Sequence, residues 1–261
     1  MNESELIHPS AIISAEAALA EDVRIGPYTV IGPNVQIDAG CDIGSHCVIK
    51  GPTIIGCNNR IYPFASIGDD PQDKKYAGEE TRLEIGAGNT IREYCTINRG
   101  TRGDEGITRL GDDNWLMAYT HVAHDCQLGS HIIMANGSTL GGHVHVDDYV
   151  MFSAFAAIHQ FCRVGAHSLV GAYGGIMQDI PPYLLVFGQP PTPRGINSEG
   201  LKRRDFSSEQ IKNLKAAYRL LYRKGLSLAE AREQLADLAG EQPELRKFVE
   251  FIDRSERGLI R

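Results

Sequence analysis

His124 and Asp125 stand next to each other, and three more histidines fall where they could share one edge with them. His121 and His124 flank Val122, His143 follows Leu140 by three positions and His159 follows Ile158 by one. Val122, Leu140 and Ile158 are spaced 18 residues apart. Three chemistries suit such a cluster. Stacked imidazoles can be structural, lining a solvated edge. They can hold a metal ion, since neutral imidazole is a common zinc ligand. They can also act as acid and base near neutral pH, where imidazole titrates. Among them His124 is favoured as a base, because a carboxylate such as Asp125 can fix the tautomer and stabilise the imidazolium. Gly141-Gly142 would lie one coil above and could offer backbone N–H groups to an oxyanion. Base plus oxyanion donor means acyl transfer or hydrolysis.

An 18-residue spacing needs an element that returns every 18 residues. An aliphatic residue recurs every sixth position from Ile7 through Ile31 and Ile49 to Ile67. The metre resumes at Ile85 to Ile97, and again from Leu110 through Val122 and Leu140 to Ile176. A helix has period 3.6 and a strand period 2, so neither produces six. A hexad repeat marks a parallel β-helix whose coil takes three hexads, with coils about 4.8 Å apart. Gly after the hexad residue, as in Ile25-Gly26 or Val164-Gly165, suits a corner without side-chain clash. The metre breaks twice. Residues 69–84 keep the phase but are polar and loop-like, and residues 98–109 shift it by a seven-residue insertion. Loops on a rigid stack are where function concentrates.

Past Pro181-Pro182 and Pro190-Pro191-Thr192-Pro193 the period becomes helical. Ser207 to Gln210 and Ser227 to Glu230 read as capping boxes, with a third helix from about Pro243. The expected organisation is a β-helix over 1–190 and a helical domain over 191–261. Five of six cysteines (Cys41, Cys47, Cys95, Cys126, Cys162) fall four places after their hexad residue, where small side chains recur. They read as buried thiols rather than disulfides or ligands. The net charge of −7 divides unevenly: residues 194–224 hold 9 Lys+Arg against 3 Asp+Glu. One basic segment on an acidic chain argues against nucleic acid and suits one acidic partner. The acidic start, Met1 to Glu5, leads straight into the repeat with no leader pattern, and no apolar run is long enough for a bilayer. The expected location is the cytoplasm.

Several strings resemble one family closely: Ala123-His124-Asp125-Cys126, Gly142-His143-Val144, Ile158-His159-Gln160-Phe161-Cys162, Gln72-Asp73-Lys74-Lys75-Tyr76-Ala77-Gly78-Glu79 and Asn197-Ser198-Glu199-Gly200-Leu201-Lys202-Arg203-Arg204. They are similar to the UDP-N-acetylglucosamine O-acyltransferases that begin lipid A synthesis, and the similarity spans essentially the whole chain. The resemblance implies a left-handed parallel β-helix, opposite to the usual crossover hand, and a homotrimer with sites between subunits. The implied donor is an (R)-3-hydroxyacyl group on acyl carrier protein, and the acceptor is UDP-N-acetylglucosamine. By motif, His124 is the implied base, Asp125 its orienting carboxylate and Gly142 the oxyanion donor. Gln72, Asp73, Lys75, His121, His143, His159 and Gln160 would hold the sugar nucleotide or line the cleft. Asn197, Glu199, Arg203 and Arg204 would bind the uridine diphosphate and the pantetheine arm. Neither metal nor other cofactor is expected. Two positions depart from the family pattern: Asn98 stands where His is common, and Ala172, at the implied floor of the acyl groove, stands where longer-chain members have Gly. An N-acyltransferase acting two steps later would add an N-terminal domain, and a non-catalytic scaffold would leave both loops and the histidines unexplained.

Overall fold

The computed structural model describes residues 6–103 and 105–261, so the acidic residues 1–5 lie outside the described residues. Short parallel strands wind into a left-handed β-helix of triangular section. Among the described residues, a first sheet has nine strands, from Ile12–Ile13 to Gly175–Ile176. A second has eight, from Ala18–Leu19 to Arg163–Val164, and a third ten, from Arg24–Ile25 to Thr192–Ile196. The hexad residues point inward, and from Ile25 to Ile176 they are buried. At the N-terminal end of the stack Ile7 remains exposed and Ile13 and Leu19 are half-buried. The five metrical cysteines are buried thiols, and burial pushes Cys126 up to about 12 and Cys162 to about 11.

The corners are built differently from the expectation based on Gly. Gly68, at the first insertion, has a φ of 72°, but at Gly26, Gly44, Gly56 and Gly165 the glycine after the hexad residue has no left-handed backbone. It is there because the next coil passes too close for a Cβ: one on Gly44 would sit 2.7 Å from Pro63 N, and one on Gly165 2.4 Å from Pro182 N. The turn itself comes two residues later, at positions such as Tyr28, Phe64, Asp125, His143, Tyr149, Phe161 and His167, all with φ between 57° and 67°. A non-glycine there costs roughly 1–2 kcal/mol. Aromatic side chains offset part of that by stacking one coil upon the next. Tyr28, His46, Phe64, Tyr94 and Tyr119 form one such ladder, with ring centroids 4.8–5.1 Å apart, each contact worth about 0.5–1.5 kcal/mol.

Both insertions leave the same corner, the first, between the first and second sheets. Across residues 69–84 the offset between stacked strands rises to 30 (Ile67 over Ile97 rather than 85), so this insertion adds 12 residues. Keeping the hexad phase concealed that length. Across 98–109 the offset is 25, seven more than a plain coil.

Beyond Ile176 the stack continues: Leu184–Phe187 lies parallel on Leu169–Val170, and Thr192–Ile196 turns back antiparallel as the edge strand. An edge position accommodates Pro193, which has no N–H to donate. The helical part therefore starts later than 191, with α1 (Ser198–Lys202), α2 (Ser208–Tyr222), α3 (Leu228–Ala239) and, after a 3-10 turn at Pro243–Leu245, α4 (Arg246–Arg254). Capping boxes at Ser207 and Ser227 start α2 and α3. Buried Asp179 takes bonds from Arg163 N, Ser255 Oγ and Arg257 N, which fastens the last helix to the last coil.

Candidate active site

At the first corner, an 18-residue offset stacks His124, Gly142 and Gln160 in one column and Asp125, His143 and Phe161 in the next. The backbone records it directly: His143 N donates to His124 O and Phe161 N to Gly142 O, each at 3.0 Å. Asp125 has the left-handed corner backbone (φ 59°) and is fully buried, with Thr101 and His124 bonded to its carboxylate. Burial by itself would raise that carboxyl. Bonds from His124 and from the Thr101 hydroxyl and N–H, together with nearby His143, outweigh it and hold Asp125 below the usual carboxylate range. An ionised carboxylate can only accept, so His124 Nδ1 carries a proton and donates it to Asp125 Oδ2 at 2.9 Å. That leaves His124 Nε2 as the basic atom. The two side chains that adjacency alone could not join do touch.

Gly142 lies against the imidazole. A Cβ there would come 2.5 Å from His124 Cε1 and 2.7 Å from Nε2, so only glycine fits. Its N–H has no partner among the described residues. His143 stacks on Phe161 at 4.4 Å and meets His124 edge-on at 5.1 Å. His121 bonds Thr96 Oγ1 at 2.7 Å, and burial, then the charge of His124, lowers its pKa. His159 is half-buried and turned to the Gln160 carbonyl, 3.1 Å away.

The first insertion folds over this corner. Gln72, Asp73, Lys74 and Lys75 face His124, His143 and Gln160 across a cleft of about 440 Å³. A second cleft of about 590 Å³ shares Asp73, Lys75 and His143 and is closed on its far side by Thr101 to Gly103. Asp73 Oδ1 accepts from Lys75 N at 3.0 Å, fixing the turn that presents both charges. Asn98 and Arg99 secure the base of that loop: Asn98 Nδ2 donates to Asp70 O at 3.0 Å and Arg99 to Gly68 O, Asp70 and Tyr76. Asn98 is therefore a tie to the loop rather than a titrating group.

Thr101, Thr108 and Phe161 are the contacts that sequence reasoning missed. Thr108 Oγ1 accepts from Asp125 N at 2.8 Å. Counting the second insertion as seven residues would have placed 100 and 101 directly under Asp125 and Cys126.

Two groups of expected residues lie elsewhere in the chain. Asn197, Glu199, Arg203 and Arg204 belong to α1 and its caps, beside the second corner (between the second and third sheets). There the Arg204 guanidinium covers Tyr149 at 4.0 Å, Asn197 Nδ2 donates to His167 O at 3.0 Å, and Glu199 pairs with Lys202 at 2.8 Å. Ala172 is exposed at the third corner (between the third and first sheets), next to Tyr173, across the first sheet from His124.

A hexapeptide coil carrying a His–Asp dyad and insertions at one corner defines the class of bacterial hexapeptide transferases. That family's six-repeat model matches residues 16–51 and 107–142, and the model for domain 2 of UDP-N-acetylglucosamine O-acyltransferase matches 179–260. The acyl-[acyl-carrier-protein]–UDP-N-acetylglucosamine O-acyltransferase of Janthinobacterium sp. (strain Marseille) is 56% identical over 260 residues, covering 98% of this chain and 99% of its own. That of Herminiimonas arsenicoxydans is 55% identical over 262, with the same coverage. The solved UDP-N-acetylglucosamine acyltransferase of Francisella novicida superposes with a TM-score of 0.96 at 45% identity, covering 98% of this chain and 94% of that one. For the Moraxella catarrhalis enzyme the values are 0.97, 44%, 98% and 100%. The chain belongs to the family of acyl-[acyl-carrier-protein]–UDP-N-acetylglucosamine O-acyltransferases and is an acyltransferase.

Proposed function

We propose that this protein moves an (R)-3-hydroxyacyl group from acyl carrier protein to the 3-hydroxyl of UDP-N-acetylglucosamine, the first step of lipid A synthesis, in the cytoplasm. The observation that carries the reading is the buried Asp125 holding the His124 Nδ1 proton at 2.9 Å with Gly142 packed against the ring. In this reading His124 Nε2 takes the proton of the sugar hydroxyl as its oxygen attacks the thioester carbonyl. Charge builds on the carbonyl oxygen, where the unpartnered Gly142 N–H can donate. The C–S bond then breaks, and the imidazolium returns its proton to the leaving thiolate. In the same reading Asp73, Lys75, His143 and Gln160 hold the sugar, and Asn197, Glu199, Arg203 and Arg204 hold the diphosphate and pantetheine.

A single chain separates these parts on three corners, which supports a homotrimer. The first sheet's outward residues are small or aliphatic (Ile12, Val30, Val48, Ser66, Thr96, Thr139, Ala157, Gly175) apart from His121, and exposed Phe64, Tyr94, Tyr119, Phe155 and Tyr173 run along its far edge. Packing three copies around that sheet covers the apolar surface and brings one copy's third corner, with Ala172, to its neighbour's His124.

His124, Asp125 and His143 also place three metal-ligating atoms within 4.8 Å. Asp125 already accepts from Thr101 and His124, so we read the group as a dyad with a neighbour and no metal. The test is an assay of the metal-analysed trimer with UDP-N-acetylglucosamine and 3-hydroxyacyl carrier proteins of graded length. Formation of the 3-O-ester without stoichiometric zinc is expected. No transfer, or activity that tracks bound zinc, overturns the reading.

A further inference from the structure

Asp125 is a buried carboxylate within reach of two imidazoles. Its Oδ2 lies 2.9 Å from His124 Nδ1 and 3.7 Å from His143 Nε2. What settles the choice is a third residue. Thr101 N–H reaches Oδ1 at 2.8 Å and Oδ2 at 3.1 Å, and its hydroxyl donates to Oδ2 at 2.6 Å. Thr101 is itself buried and begins the stretch, Thr101 to Gly103, that walls the larger cleft opposite Asp73 and Lys75. Its N–H and hydroxyl together fix the plane of the carboxylate. The Thr108 hydroxyl, accepting from Asp125 N, fixes the backbone that carries it.

We infer that Thr101 is a positioning residue for the reaction proposed above: it reserves Asp125 for His124 and ties the second insertion to the dyad. This rests on the acyl-transfer reading and deepens it. The hydroxyl satisfies one lone pair of Oδ2, so the carboxylate pulls less strongly on an imidazolium formed at His124. Without that bond Oδ2 would face His143, 3.7 Å away, as well as His124. The titratable and charged groups around the dyad among the described residues are His121 on the first sheet, His143 on the next coil, and Asp73, Lys74, Lys75 and Glu79 on the first insertion, with Arg102 beside Thr101. None of them donates to Asp125 as Thr101 does.

The test is Thr101→Val, which keeps shape and N–H but loses the hydroxyl, alongside Thr101→Ser, which restores it. Two readouts are taken on the intact protein: the pH profile of kcat/KM, and the carboxyl ¹³C titration of Asp125 without substrate. Losing a donor to the charged form raises a carboxyl pKa. The valine variant is therefore expected to move the Asp125 titration and the acid limb of kcat/KM upward by about one pH unit. Its kcat is expected to fall about tenfold at neutral pH with the nucleotide KM little changed. Serine is expected to restore all three. An unmoved Asp125 titration in the valine variant overturns the inference, as does an equal defect in valine and serine. The titration needs no turnover. If it shifts as expected while the wild type transfers no acyl group, Thr101 keeps its role at Asp125 and the proposed function falls instead.

Discussion

His143 and His167 occupy the same place in the coil and do different things. Each is the third residue after a hexad position, with φ of 61° and 62°, and each stacks on an aromatic ring one coil away: His143 on Phe161, His167 on Tyr149 and Tyr183. The difference lies in what surrounds them. At the first corner, Asp125 sits one coil below His143, two insertions leave the coil, and clefts open. At the second, Tyr149 sits below His167, Phe206 closes from the side, and Lys247 and Arg204 are near. Burial, then those cations, push His167 down to about 4, so it stays neutral and serves as a packing ring. Histidine at this corner position is a stacking residue by default, as His46 and His131 also are. A buried carboxylate beneath it and room above it make a reactive site.

The comparison can be broken by steric, electrostatic and selective changes. Short of removing the base itself, the largest expected effect is from Gly142→Ala, whose methyl would occupy the space of the His124 ring. Misplacing a base by about 1 Å can cost about 10²-fold, so kcat should fall by about that factor with the trimer intact; near-normal kcat would remove Gly142 from the site. Arg203→Ala and Arg204→Ala should raise KM about tenfold with a milder fall in kcat, because guanidinium groups clamp phosphate in ground and transition states alike. Pure kcat defects would contradict that role. Ala172 should bias chain length, since a methylene in a packed groove is worth only about 1–3 kcal/mol. Donors of graded length, competed on wild type, Ala172→Gly and Ala172→Met, should show the preference lengthening with Gly and shortening with Met. An unchanged profile in both excludes Ala172.

The smallest effect is on stability at the second corner. The folded state keeps His167 neutral down to about 4, whereas the unfolded chain takes up the proton near pH 6.5. Between those values the unfolded state binds more protons, so stability falls as pH drops from about 6.5 toward 4. His167→Phe should flatten that part of a Tm-against-pH curve and leave kcat unchanged. A slope that persists assigns it to another group.

The hexad metre made the coil legible because every inward position answers to one core, and the capping boxes marked α2 and α3 for the same local reason. The column of His124, Gly142 and Gln160 followed from counting by 18. What stayed hidden was of two kinds. Thr101 reaches Asp125 across the second insertion, so the plain 18-residue count misses it and only the 25-residue offset of that coil reports it, and the 12 extra residues before Ile85 preserve the phase and conceal their own length. The positions of Ala172 and Arg204 depend on which corner they leave and on which copy faces them; one chain's periodicity carries no such information. Handedness was equally silent, since a hexad reads the same in either hand.

The central claim is that the first corner does the chemistry because of the Asp125–His124 pair and not because histidines line the coil. The most direct measurement compares single-turnover acyl transfer by His124→Gln and His167→Gln under saturating UDP-N-acetylglucosamine, with nucleotide binding measured alongside. Loss of a general base costs about 10²–10⁴-fold, so His124→Gln should fall by at least the lower figure with binding retained, while His167→Gln stays within a factor of a few. Similar rates in the two variants would contradict the account.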